Sequence, residues 1–65
     1  MKLFLHTPDR TIRLAQAGQH AVKPAEHVAV PAGTATLEVL VDGTSHTRTV
    51  TVSTAGLPGE WAKLD

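Results

Sequence analysis

Residues 35–52 read ATLEVLVDGTSHTRTVTV, with aliphatic and polar side chains alternating on either side of an Asp-Gly pair. A period of two sends successive side chains to opposite faces of an extended strand. Two such runs joined by a turn dipeptide specify a β-hairpin. More than a quarter of the 65-residue chain is therefore committed to antiparallel sheet. Leu37, Val39 and Val41 are odd-numbered, whereas Val50 and Val52 are even. For these to share a face the connecting loop must contain an even number of residues. A two-residue Asp42-Gly43 turn pairs Val41 with Thr44 and Leu37 with Arg48, and Asp-Gly is the local signature of such a turn. A four-residue loop, Asp42 to Ser45, instead pairs Leu37 with Val50 and Ala35 with Val52. Because it matches apolar with apolar, the four-residue loop is the expected one.

The rest of the chain alternates over shorter spans. KLFLH (Lys2–His6) and RTIRLA (Arg10–Ala15) flank TPDR, whose Pro8-Asp9 suits the centre of a type I turn. This gives a first hairpin with Leu3 and Leu5 facing the same way as Ile12 and Leu14. Gln16–His27 carries neither a strand nor a helix period and reads as a loop, the alternative being one helical turn around residues 15–22. HVAV (His27–Val30) reads as a short strand, followed by a tight turn at Pro31–Gly33. The segment Ser53–Asp65 holds Gly56, Pro58 and Gly59 and reads as a turn-rich tail, with Trp61 folding back over one end of the sheet.

The expected fold is all-β: one domain, residues 1–65, with about five short, mostly antiparallel strands in a small barrel or sandwich. An α+β arrangement with a short helix at 15–22 is the alternative. The expected core is Leu3, Leu5, Ile12, Leu14, Val28, Val30, Leu37, Val39, Val41, Val50 and Val52.

A chain of 6.9 kDa folds to roughly 4,000 Å² of accessible surface and buries only about 60% of what it exposes unfolded. Domains this small usually need a disulfide, a metal or a partner subunit. The chain has no cysteine, which excludes disulfides, thiolate zinc sites and a cysteine nucleophile, and suits a reducing compartment. The N-terminal apolar run, Leu3–Leu5, is far shorter than the hydrophobic segment of a signal peptide, and no run approaches a membrane span. A cytoplasmic location without membrane contact is expected. Six Lys/Arg balance six Asp/Glu without clustering, and Phe4 and Trp61 are the only aromatic residues of the Phe, Trp and Tyr class. Such a chain lacks both the basic face that phosphates require and the stacking platforms that single strands require. Nucleic acid is not an expected partner.

Four histidines, His6, His20, His27 and His46, are the conspicuous chemical groups. Imidazole is a common metal ligand, and His6, His20 and His27 are the candidates if the loop carrying His20 lies over the sheet edge. None has the i, i+4 or H-x-E spacing that fixes ligands locally. Asp42, Ser45 and His46 contain the residue types of a hydrolytic triad, but adjacent strand residues point to opposite faces, separating Ser45 from His46. Thr47, Thr49 and Thr51, with Thr36 near them, form a threonine row that any solvated strand favours. No glycine-rich phosphate loop or paired carboxylates occur, and no cofactor is expected.

These features point to a non-enzymatic module that acts through protein–protein contact or self-assembly. The alternative is a small histidine-dependent metal-binding protein. Phe4 and Leu40 fall on the face opposite the expected core and are the candidate interface of a homodimer, unless the Trp61 tail covers them. Sheet edges should also be available, because Glu38 and Arg48 are the only charges within the strands of the long hairpin and no proline interrupts them.

Overall fold

In the computed structural model, which describes residues 1–65, Asp42 and Gly43 both adopt positive φ, 50° and 78°. Two successive left-handed residues make a type I′ turn, whose twist matches that of the strands it joins. The strands are β4 (Gly33–Val41) and β5 (Thr44–Thr54). Val41 pairs with Thr44 and Leu37 with Arg48, so the expected four-residue loop is corrected to two residues. Turn chemistry prevails because the apolar sets still share a face, both loops being even. Only the outer half of the hairpin carries mismatched pairs, where Arg48 is exposed and needs no apolar partner. Deeper in the barrel Ala35 faces Val50, and both are buried.

The first hairpin forms as expected. Strands β1 (Lys2–His6) and β2 (Thr11–Ala17) place Leu3 opposite Leu14 and Leu5 opposite Ile12. Thr7 closes the turn: its N–H and its hydroxyl both donate to the Arg10 carbonyl at 2.8 Å. The Arg10 N–H returns a bond to Thr7 Oγ1 at 3.1 Å.

Two further strands were not evident in the sequence. Part of the expected loop is β3 (Ala21–Pro24), which pairs with β2 across a bulge between Leu14 and Gln16. It alternates over four residues, burying Val22 and Pro24, which is too short a span for periodicity to register. There is no helix at 15–22. Residues 62–64 of the expected covering tail form β6 (Ala62–Leu64), with Ala62 and Leu64 directed into the core. The tail thus closes the sheet from within instead of packing over it. His27–Val30 is not a strand: only Val30 makes a bridge, exchanging two backbone bonds with Gly56 at 3.0 and 3.1 Å.

Six antiparallel strands therefore close a small all-β barrel in the order β1-β2-β3-β6-β5-β4. Its surface is 4152 Å², close to the roughly 4,000 Å² expected from chain mass. The core is Leu5, Ile12, Leu14, Val22, Val30, Ala35, Leu37, Val50, Val52, Ala62 and Leu64. Leu3 and Val28 are half-buried against it. Val39 and Val41 were expected inside, but they face inward beyond the filled part of the barrel, so Val39 is half-buried and Val41 is 39% exposed. The closure is uneven. β5 pairs with β4 from Thr44 to Val52, yet with β6 only at Val52 and Thr54.

Candidate interaction surface

The outer face of the β2–β1–β4–β5 sheet carries three cross-strand rows. Lys2, Leu40 and Ser45 form one; Arg13, Phe4, Glu38 and Thr47 the next; Thr11, His6, Thr36 and Thr49 the third. Phe4 and Leu40 are diagonal neighbours on β1 and β4, both half-buried, at the separation where large side chains still influence each other. The Phe4 and His6 rings lie 6.4 Å apart between centroids. Strand β6 lies within the sheet. Trp61 sits with Met1, Leu3, Ala17 and Gly18 around a shallow cavity of about 400 Å³. The tail therefore leaves the Phe4–Leu40 face uncovered.

Between these apolar groups runs a polar brace. Ser45 Oγ donates to Glu38 Oε2 at 2.6 Å, and His6 Nε2 lies 2.7 Å from Glu38 Oε1. An ionised carboxylate only accepts, so Nε2 carries the proton and donates. In the neutral ring Nδ1 then accepts from the Thr11 hydroxyl, 3.0 Å away. The Ser45 hydroxyl bond, and next the His6 bond, hold the Glu38 carboxyl below its usual pKa. The imidazole charge adds to this, against a smaller opposing effect of burial. The brace links all four strands of this face.

Thr11, His6 and Glu38 follow the hydroxyl–imidazole–carboxylate order of a hydrolytic triad, but acyl transfer also needs oxyanion donors and a pocket. None of these three residues lines any of the three cavities of the barrel. Ser45 and His46 are on opposite faces, as strand geometry demands: Ser45 reaches outward to Glu38, while His46 lines an inward hollow with Leu37, Val39 and Arg48.

The three candidate metal ligands are not assembled. His6 is engaged in the brace. His20 lies in the β2–β3 turn, where its carbonyl accepts the Leu64 N–H at 2.9 Å. His27 lies in the β3–β4 connection near Gly59 and borders a cavity of about 610 Å³ with Val28, Val30 and Leu57. No group of three His, Asp or Glu side chains is positioned to hold an ion. No helix is long and apolar enough to cross a membrane.

Glu38 and Ser45 were missed as partners in the sequence. The two-residue Asp-Gly turn places both on the outer face, two positions apart across the strands, and was the available clue. The chain matches no protein-family description, no curated protein and no solved structure.

Proposed function

We propose that the protein is a non-enzymatic interaction module of the cytoplasm that works by associating with a protein surface, in the simplest case a second copy of itself. The observation that carries this reading is the apolar surface the barrel does not bury. Phe4 and Leu40 lie on an outer face that no other segment of the chain covers. At one mouth Met1 and Trp61, 86% and 44% exposed, flank the half-buried Leu3. The register of β1 on β4 brings Met1 beside the exposed Val41. A barrel with only eleven buried apolar residues in its core gains substantially when such groups leave water. Balanced charge and the scarcity of aromatic groups favour a protein partner over nucleic acid. The absence of cysteine accords with a reducing compartment.

The test is the mass of untagged protein in solution, measured by light scattering at tens of micromolar with folding checked by circular dichroism. A mass of two or more chains is expected. A folded protein with the mass of one chain throughout would defeat self-association.

A further inference from the structure

We propose that the free edge of β5, from Thr44 to Val50, is the self-association site, and that it pairs antiparallel with the same edge of a second copy about a two-fold axis at Thr47. This inference rests on the self-association reading and says where it occurs.

The edge follows from hydrogen-bond phase. In a two-residue hairpin the residues flanking the turn, Val41 and Thr44, exchange backbone bonds. Thr44, His46, Arg48 and Val50 therefore direct their N–H and C=O groups at β4, and the odd-numbered residues of β5 direct theirs away. The Asp65 N–H donating to the Thr51 carbonyl at 2.8 Å, on the side remote from β4, confirms the phase. Beyond that bond β6 does not reach, because its pairs with β5 are at Val52 and Thr54. Ser45, Thr47 and Thr49 consequently present outward N–H and C=O groups with no backbone partner, on a segment whose side chains are exposed from Thr44 to Thr49.

Natural edges are shielded by proline, bulges, inward charges or a covering element. This one has no proline and no bulge between Thr44 and Val52, and Arg48 is its only Lys or Arg. It is a ready template for strand addition.

The choice of a second copy comes from register. Outward groups are on odd residues, so odd must pair with odd. Centring the pairing on Thr47 matches Thr47 with its symmetry mate and Ser45 with Thr49 in both directions, which uses every free group. Arg48 then stands opposite His46 of the other copy. Moving the centre to Arg48 sets two guanidinium groups face to face, which like charges disfavour. It also requires Thr51, whose carbonyl is already occupied. Moving it to His46 consumes the Gly43 turn and strands Thr49. The segment is thus self-complementary in one register. Pairing there also roofs the hollow of about 160 Å³ lined by Leu37, Val39, His46, Thr47 and Arg48. It places the two Phe4–Leu40 faces on one continuous sheet.

Charge placed on the two-fold axis tests the pairing. Thr47→Lys and Thr47→Glu each set like charges against themselves across the axis, whereas an equimolar mixture sets opposite charges together. Thr47 lies opposite Glu38, so the lysine variant gains a favourable neighbour and should fold; circular dichroism checks both. Light scattering and sedimentation should show a dimeric parent, at least tenfold weaker association for each variant alone, and recovery in the mixture. Leu40→Glu, on the outer face, should leave the dimer intact. A dimer that Leu40→Glu splits and Thr47→Lys does not would overturn the edge assignment while self-association stands. A folded, monomeric parent would overturn both.

Discussion

Leu5 occupies the position where truncation should be most costly. It is fully buried on β1, opposite Ile12 on β2 and Leu37 on β4. Leu5→Ala removes three carbons, and at about 0.8 kcal/mol each the transfer loss is about 2.4 kcal/mol. Backbone ladders hold β1 on both sides, so the surroundings cannot close over the gap, and the cavity left behind raises the total to about 3–5 kcal/mol. A domain of this length has about 3–10 kcal/mol of stability in all. With a urea slope of about 1 kcal/mol per molar for a small protein, the midpoint should fall by about 3–5 M. Leu57→Ala is the control: Leu57 is 74% exposed, and its truncation should change stability by less than about 0.5 kcal/mol. Urea titrations followed by far-ultraviolet circular dichroism, at one protein concentration because association shifts apparent stability, measure both. Equal displacements for the two variants would refute the assignment of Leu5 to the centre of the core.

Gly56 is buried, and a Cβ added there would lie 3.1 Å from the Glu60 and Trp61 carbonyl oxygens and 3.2 Å from the Ala62 Cβ. Gly56→Ala should therefore lower stability by about 1–3 kcal/mol through overpacking against the start of β6, read as a drop in urea midpoint. At Gly43 a Cβ meets nothing within 4 Å, but φ is +78°; Gly43→Ala should cost about 1 kcal/mol from backbone strain alone, again by urea titration. The Glu38 carboxyl titrates below the ordinary glutamate value in the folded protein. Its ionised brace therefore stabilises the fold above that ordinary value, and the contribution is lost as pH falls through the depressed folded value. Carbon-detected NMR titration should show the depression, and Ser45→Ala should move Glu38 back upward. Because the histidines lie apart, a chelator should leave the thermal midpoint of untagged protein unchanged.

What the sequence determined by itself was local. Alternation at Lys2–His6 and Thr11–Leu14, with Pro8-Asp9 between, set which side of the first hairpin faces the core, because side-chain parity depends only on an extended backbone. The same parity placed Phe4 and Leu40 outside. An even loop carried Leu37, Val50 and Val52 to one face whatever its length, so misjudging Asp42–Ser45 altered partners without inverting the sheet. Tertiary structure decided what no short window contains. Ala21–Pro24 and Ala62–Leu64 are too brief to show a period, and they are strands because the barrel needs Val22, Ala62 and Leu64 to close its core. The bond between His6 and Glu38 spans 32 residues and exists only because β1 pairs with β4. The free β5 edge is likewise a product of assembly: β6 arrives from the far end of the chain and stops at Val52, leaving the backbone groups of Ser45, Thr47 and Thr49 without a neighbour.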